Sequence, residues 1–417
     1  MKRLKIMAST LLMLSAISFT SCTDYFERPP FDSLEDSEYW QTEEHCRTYS
    51  YGFYPTFFNG YGTSGLIGGS SFGNGDTFND DIAWNVQGEF TPIRVPDSDS
   101  GWDFGVIRKA NYMIEKVQTV PGLSEEALNH WLGIGRFFRG MQYANMVFGY
   151  GDVPWYDARL DASDRDAMFK DRDPRTEVDR KIMEDFQFAM DNVRTNDGDL
   201  VINRYVVAAM VSRLALREGT FLKYHNIDAA LGNEMIKMSR EAALIVMQSG
   251  LFSVSPDYNA LFSSDDLAGN PEVIFYRKYL GGTLTHCVLT YNNAEAQTGA
   301  NRALLESYLT DDGLPVHLDA NWDPQTADEF FAGRDPRLTE TFRTKYYVRG
   351  EDCTPFNYST SGYSMCKFMD DTQATSEDQK YRGQNNETDC PLLRYSEVLL
   401  NYAEACYELG ELSQADL

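Results

Sequence analysis

The sequence predicts a mainly α-helical fold in which tetratricopeptide-like helical pairs form a short solenoid scaffold, joined by irregular loops and a few short strands. Apolar residues recur at steps of three and four through much of residues 33–250, which is the spacing of amphipathic helices. The last stretch of the chain resembles a tetratricopeptide repeat, whose apolar face must stack on other helical pairs. With 42% hydrophobic and 24% charged residues, the 417-residue chain has the balance of a globular protein.

The first 21 residues have the pattern of an export signal. Positive residues precede an apolar run from Ile6 through Phe19, which is too short to cross about 30 Å of hydrocarbon comfortably as a helix. Small residues then lead directly into Cys22, as in a lipobox. We therefore expect residues 1–21 to be a lipoprotein signal peptide and Cys22 to carry the lipid; an incidental cysteine after an ordinary signal is the alternative. No later apolar run is long enough to span a bilayer, so the sequence predicts a membrane-anchored protein.

Residues 22–250 are predicted to form an N-terminal helical region. Trp131, Ile134 and Phe138 begin an apolar stripe that continues along one helix face to Phe148. Comparable amphipathic stretches are Asp103 to Val117, Thr176 to Val193, Tyr205 to Leu222 and Ala229 to Gln248.

Residues 251–417 are predicted to form a C-terminal region that is loop-rich over 251–390. Its Gly-, Asn- and Asp-rich connections contain two short runs of strand type, Glu272 to Tyr279 and His286 to Tyr291.

The segment 391–417 is expected to be helical, with the helical pattern running from Leu392 to Leu409. Its small alanines and Gly410 resemble the helix-turn-helix signature of a tetratricopeptide pair. The chain stops at Leu417, inside what should be the second helix of that pair. We therefore expect the sequence to be truncated.

The formal net charge of −26 argues against some classes of partner. An acidic field repels phosphate groups, so nucleic acid and anionic lipid are poor candidates, and a neutral or cationic ligand is favoured. The chain also holds 25 Tyr and 6 Trp, many in segments predicted to be loops. Such side chains can stack on sugar rings or peptides, although most individual rings are expected to pack in the core.

The seven cysteines include no C-x-x-C pair, which argues against a zinc ribbon or finger. One of them is Cys22. The six cysteines after Cys22 are Cys46, Cys287, Cys353, Cys366, Cys390 and Cys406. Cys353 and Cys366 could close a short disulfide loop, and the alternative is that these cysteines are buried free thiols.

Enzyme motifs are weak. Gly69–Gly73 matches G-x-S-x-G but lacks the preceding strand and following helix that expose a nucleophilic serine. The histidines form no H-E-x-x-H pair. Paired carboxylates carry little information among 63 acidic residues. We predict no cofactor; Asp76–Asp81 and Asp97–Asp99 offer oxygen ligands for calcium, but neither has a full EF-hand loop.

Several blocks nevertheless follow one another in a recognisable order. They are Asp24-Tyr25-Phe26-Glu27, Tyr39-Trp40-Gln41-Thr42, Gly101-Trp102, Ile107–Tyr112, Arg136–Tyr143, Tyr150–Pro154, Asn203-Arg204, Arg213–His225, Pro271–Ile274, Asp311–Pro315, Arg334–Leu338 and Cys390–Ala405. In this order, across nearly the whole chain, they resemble the SusD/RagB family of Bacteroidetes outer-membrane lipoproteins. The sequence departs from the family pattern at Ile134-Gly135 and at Gly140, which affects packing detail.

The resemblance implies a non-enzymatic protein that is lipid-anchored at the outer membrane, exposed at the cell surface, and serves polysaccharide utilisation. Such proteins bind oligosaccharides, or in some cases peptides, and deliver them to a partner SusC-type TonB-dependent transporter. A secreted glycoside hydrolase or esterase is the alternative from another class. The family motifs also suit a scaffold, so we expect four of their charged residues to make buried charge-assisted bonds: Arg139, Asp152, Arg213 and Glu218.

Ligand contacts are expected where an aromatic ring and amide or acidic groups share a loop, because stacking supplies affinity and hydrogen bonds supply orientation. Asp81, Trp84 and Asn85 fit this description, in the loop where the family commonly places binding residues. The second choice is Tyr291 with Asn292, together with Trp322. For each ring, an exposed or packed loop aromatic is the alternative.

Overall fold

The computed structural model describes residues 39–62, 81–84, 99, 101–160, 163–288, 298–320, 322–343, 346–348, 351–353, 359–368 and 383–413. The predicted signal peptide and Cys22 lie outside these residues. The helices are α1 (Glu43–Tyr51), α2 (Tyr54–Phe57), α3 (Gly105–Val117), α4 (Glu125–Tyr150), α5 (Arg165–Met168), α6 (Arg175–Asn192), α7 (Arg204–Tyr224), α8 (Ala229–Met247), α9 (Ala260–Ser263), α10 (Arg302–Ser307), α11 (Ala327–Phe331), α12 (Pro336–Thr341) and α13 (Tyr395–Leu409).

The strands are short and join in antiparallel pairs, β1 with β3, β2 with β8, β4 with β7 and β5 with β6. Their bounds are β1 (Ile82–Trp84), β2 (Val273–Arg277), β3 (Thr298–Ala300), β4 (Phe342–Arg343), β5 (Tyr346–Val348), β6 (Glu351–Cys353), β7 (Ser364–Met365) and β8 (Cys390–Arg394). The mainly α-helical fold is thereby confirmed.

Helices pack in neighbouring pairs, as the repeat-like pattern predicts. The helix α3 lies on α4, α4 on α6, and α7 on α8, while the C-terminal α13 packs on α8 and α7. The helix α4 begins before the predicted stripe at Trp131, because the Ser124 side chain accepts a hydrogen bond from the backbone N–H of Ala127 and caps the first turn. Its inner face buries Trp131, Phe137 and Phe138 in the main core.

Two predictions for the C-terminal region require correction. The helix that was expected from Leu392 begins at Tyr395, because the preceding residues form β8 and pair with β2. Arg394 also forms an ion pair with Glu272 at 2.8 Å, which fixes the strand end beside β2. The second predicted strand, from His286, is represented in its described part only by an isolated bridge between His286 and Asn386.

Five cysteines of the described part of the chain are buried and form no disulfide. Cys366 forms no disulfide, and its Sγ lies 3.6 Å from the carbonyl oxygens of Thr339 and Glu340. The disulfide considered between Cys353 and Cys366 is therefore absent. The other buried cysteines without a disulfide are Cys46, Cys287, Cys390 and Cys406.

Within the described part of the chain, none of the helices combines the length and the apolar character needed to cross a bilayer.

Two glycines allow α7 and α8 to touch through their backbones. A Cβ atom on Gly219 would lie 2.7 Å from the carbonyl oxygen of Gly232, and a Cβ on Gly232 would lie 2.7 Å from that of Gly219. Atoms cannot approach this closely without displacing backbone, so neither position accepts a side chain while the two helices keep their spacing.

One buried carboxyl group on α6 has no ion pair among the described residues. Asp179 is fully buried, and neither of its side-chain oxygens has a hydrogen-bond partner. Burial and the nearby Glu218 carboxylate raise the pKa of Asp179 to about 8, although Arg175 acts to lower it. Arg175 is already paired with Glu218, Nε to Oε1 at 2.6 Å. The Asp179 carboxyl group is therefore held in its neutral form near pH 7.

We expect Gly219→Ala to lower the free energy of unfolding by about 1–3 kcal/mol, because the new methyl group forces α7 and α8 apart. Gly149→Ala is the matched control: it lies in α4, and nothing lies within 4 Å of a Cβ placed there. It should leave stability unchanged or raise it by up to about 1 kcal/mol. Urea unfolding monitored by circular dichroism measures both values, and equal effects of the two substitutions would contradict the close-contact explanation.

We expect Asp179→Asn to be stabilising by an amount that grows with pH. The pKa of Asp179 is raised from an ordinary 3.8 to about 8, so between these values the folded wild-type chain keeps a proton that the unfolded chain releases. The free energy of unfolding of the wild type therefore falls across this window as the pH rises. Asparagine cannot ionise. Urea unfolding of both proteins from pH 4 to pH 8.5 should show a widening difference; a constant difference would refute the shifted pKa.

Candidate ligand-binding site

The structure brings one predicted ligand segment against the chain that follows another. The strand β1 pairs with β3 so that Trp84 lies opposite Thr298, and the backbone N–H of Asn301 donates to the Asp81 carbonyl oxygen at 2.8 Å. Asp81 is exposed. Three predicted ligand residues lie outside the described residues: Asn85, Tyr291 and Asn292.

Trp322 lies in a small hydrophobic cluster beside β3. Its ring centroid is 5.3 Å from that of Phe330, and the Arg334 guanidinium carbon lies 5.4 Å from the Trp322 ring. The cluster also buries Ala300 and Leu305. The indole Nε1 of Trp322 is buried and has no hydrogen-bond partner. The Trp322 ring therefore packs within this cluster and also lies close to β3.

A second region, not predicted as a ligand site, lies where α3 faces the loop after α4. Arg139 on α4 is buried there and donates to both carboxylate oxygens of Asp185, at 2.7 and 2.8 Å. It also donates to Asn111 Oδ1 at 2.9 Å and to the Asp157 carbonyl oxygen at 3.0 Å. One guanidinium therefore ties α4 to α3, to α6 and to the loop.

The same loop is held at other backbone atoms. Asn111 Nδ2 donates to the carbonyl oxygens of Tyr156 and Ala158, at 2.9 and 3.2 Å. The Tyr143 hydroxyl accepts from the backbone N–H of Tyr156 at 2.6 Å, and the Tyr143 ring lies 4.2 Å from that of Trp155. Residues 154–159 are consequently fixed to the scaffold by hydrogen bonds to their main chain.

The expectation for the four family-motif charges is confirmed for Arg139 and for Glu218, which are both buried and ion-paired. Asp152 is exposed, and its Oδ1 accepts a hydrogen bond from the backbone N–H of Arg175. Arg213 is only partly buried and pairs with Glu397 on α13. For the last two residues the expected burial was wrong, although their bonds join elements of the scaffold.

Between α3, α5 and the fixed loop lies a cleft with a cavity of about 720 Å³. Aromatic side chains form much of its wall: the ring of Phe104 lies 5.6 Å from that of Trp102 and 5.6 Å from that of Tyr156, both edge to face. Phe169, after α5, stands at the rim with 70% of its surface exposed. A cavity of this size with aromatic walls suits one or a few sugar rings.

Cationic side chains cover two of these rings. The guanidinium carbon of Arg172 lies 4.6 Å from the Trp102 ring, and Lys170 Nζ lies 5.2 Å from the Tyr156 ring. Lys170 also pairs with Asp173 at 2.6 Å. Partial burial acts to raise the pKa of Asp173, but the hydrogen bonds from Lys170 and from the Trp155 backbone N–H outweigh it, and the pKa is lowered.

The described lining of the cleft includes two carboxylates, Asp103 and Asp171, and both are exposed. One Asp103 oxygen accepts a hydrogen bond from the backbone N–H of Gly105 at 2.8 Å. A general acid is normally kept protonated by an apolar, buried setting, which neither residue has. Over the described residues, no group of three His, Cys, Asp or Glu side chains is placed to hold a metal ion.

This cleft was not predicted from the sequence, although two of its lining residues belong to the family blocks. Trp102 ends one block, and Pro154 ends another. The signal that could have drawn attention is the presence of aromatic and charged residues in the segment 154–172, which separates two strongly helical stretches. Nothing in the sequence states that this segment faces Trp102.

The chain was compared with known families and proteins. The sequence model of the SusD family matches residues 271–416. SusD-like protein P38 of Formosa agariphila is 22% identical over 446 residues, a match that covers 100% of this chain and 81% of that protein.

Solved structures share the fold. A SusD-like carbohydrate binding protein from Bacteroides fragilis superposes with a TM-score of 0.70 at 18% identity, covering 91% of this chain and 77% of that one. Surface glycan-binding protein A from Bacteroides fluxus gives a TM-score of 0.59 at 14% identity, covering 90% and 78%. The C-terminal part of the chain thus matches the SusD family, the whole chain is similar in sequence to P38, and the resemblance to SusD/RagB proteins is confirmed.

Proposed function

We propose that this protein is a surface-exposed, lipid-anchored glycan-binding subunit that captures oligosaccharides and passes them to a SusC-type TonB-dependent transporter. The observation that carries the binding role is the aromatic-walled cleft between α3, α5 and residues 154–159. Its loop wall is fixed by backbone hydrogen bonds, so little ordering of that wall is needed when a ligand enters. The similarity to a carbohydrate binding protein of Bacteroides fragilis supports a glycan as the ligand.

Phe169 is the clearest stacking platform at the rim of this cleft. Its ring is 70% exposed, and its neighbour Met168 is 41% exposed, so the two form an apolar edge beside the cavity. Exposed aromatic rings next to a cavity offer flat faces to the C–H side of a sugar ring. Removal of an exposed ring also leaves the hydrophobic core intact.

The segments around Asp81, Trp84 and Trp322 are proposed as a second contact area for a longer chain. The β1–β3 pairing supports this proposal, because it joins the loop that follows Trp84 to the chain that precedes Thr298. Asn85, Tyr291 and Asn292 belong to these same two segments and are proposed to contribute amide and aromatic contacts.

Two other functions make different demands. A peptide-binding member of the family would use the same cleft, and a secreted glycoside hydrolase or esterase would release product. The exposed setting of Asp103 and Asp171 favours binding over hydrolysis. Calorimetry against peptides and against oligosaccharides distinguishes peptide binding from glycan binding. A reducing-sugar assay detects the product that a hydrolase would release.

We expect Phe169→Ala to weaken glycan binding by about tenfold, the effect of losing roughly 1.4 kcal/mol of stacking energy. Affinity electrophoresis on amylopectin, dextran, xylan, chondroitin and dextran sulfate identifies a retarding polymer, and calorimetry with its oligosaccharides gives the affinity. Tyr407→Ala on α13 is the matched control, because that ring is 67% exposed and α13 packs on α7 and α8 rather than on α3. Product release from the polymer, or equal losses in both variants, would contradict the proposed site and role.

We expect Cys22→Ser to abolish incorporation of labelled palmitate and to move the protein out of the membrane fraction, because the lipid is the proposed anchor. The purified variant should keep the glycan affinity of the wild type, which controls for folding. Affinity-tagged wild-type protein from detergent-solubilised outer membranes should co-purify with a large β-barrel protein. Palmitate labelling that persists in the variant would refute Cys22 as the anchor, and purification without a barrel protein would refute the transporter partnership.

A further inference from the structure

Basic side chains make up a larger share of the described cleft lining than of the whole chain. The whole sequence has 37 Lys and Arg against 63 Asp and Glu. The described lining of the cleft contains four basic side chains and two acidic ones, Asp103 and Asp171. The basic residues are Arg108, Arg159, Lys170 and Arg172.

Two of these basic groups are already neutralised by neighbours. Arg159 Nη2 lies 3.2 Å from a carboxylate oxygen of Glu115, and Lys170 Nζ lies 2.6 Å from one of Asp173. Both pairs are at least partly exposed to solvent, so they contribute little to stability and exchange partners easily.

The other two basic groups have no carboxylate partner. Across the residues that the structure describes, no carboxylate oxygen lies within 4.0 Å of the Arg108 or the Arg172 guanidinium nitrogens. Both side chains are exposed, and both line the same cavity. Two arginines on one cavity wall are thus without an ion pair among the described residues, and Asp103 and Asp171 line the same cavity.

Arg172 is also held in a defined orientation. Its guanidinium carbon lies 4.6 Å from the Trp102 ring, within the range of a cation–π contact. A guanidinium packed against an aromatic ring keeps its N–H groups available for in-plane hydrogen bonds, and their fork matches the two oxygens of a carboxylate or sulfate. The indole thereby reduces the ordering that an anion would otherwise have to impose on this side chain.

We propose that the cleft selects glycans whose sugar rings carry anionic groups, carboxylate or sulfate, and that Arg108 and Arg172 pair with those groups while the aromatic wall contacts the ring. This inference rests on the proposed glycan-binding function and specifies its class of substrate. It replaces the expectation of a neutral or cationic ligand drawn from net charge alone.

The experiment compares matched polymers with the full-length wild-type protein. Dextran and dextran sulfate share a neutral backbone and differ in sulfate, whereas unsulfated chondroitin carries carboxylate and chondroitin sulfate carries both groups. We expect at least tenfold tighter binding to an acidic polymer than to dextran, with an affinity that falls as salt is raised. Retention of chondroitin identifies carboxylate as sufficient, and binding only to the sulfated polymers identifies sulfate.

The double variant Arg108→Gln with Arg172→Gln should lose at least tenfold in affinity for the acidic polymer and become less sensitive to salt. Arg180→Gln with Lys237→Gln is the control: it removes the same charge from exposed side chains on α6 and α8, away from the cleft. Binding of dextran that is as tight as binding of every acidic polymer, or equal losses in both double variants, overturns the anionic selectivity and leaves glycan binding intact. Failure to bind any glycan, neutral or acidic, overturns the proposed function itself.

Discussion

The hydrogen bonds of Arg139 are the interaction on which the cleft and its scaffold jointly depend. This buried side chain joins Asp185 on α6, Asn111 on α3 and the main chain at Asp157, all from its position on α4. A buried charge is tolerated only when its partners are complete, and removal of one partner typically costs about 3–5 kcal/mol. Each of the three guanidinium nitrogens of Arg139 donates a hydrogen bond, so the positions of three helices and one loop are coupled through this side chain.

The helices were predictable because their signal is local. Residues such as Trp131 and Phe138 repeat at helical spacing, and that spacing alone predicts the buried face of α4. Leu392 and Leu393 show the limit, since a short apolar run fits either a helix or a strand. Their strand conformation depends on β2, which lies more than a hundred residues earlier in the chain. The cleft depends in the same way on the meeting of Trp102 with Tyr156, which no periodicity encodes.

Net charge carries little information about any single site for a related reason. It averages over the whole molecule, whereas salt screens exposed charges beyond about 8 Å at physiological ionic strength. A ligand in a cavity of about 720 Å³ therefore experiences mainly the groups at its wall. At that wall Arg159 and Lys170 have carboxylate partners, whereas Arg108 and Arg172 form no ion pair among the described residues.

Residues 154–159 are held to the scaffold through main-chain atoms, which leaves their side chains free to differ between related sequences. Arg139 and Asn111 bind the carbonyl oxygens of Asp157, Tyr156 and Ala158, atoms that every amino acid possesses. A substitution at Tyr156 or Ala158 can therefore change the side chain in the cleft wall while these main-chain bonds persist. The shape and charge of the wall can vary in this way without any change in the helices that hold it.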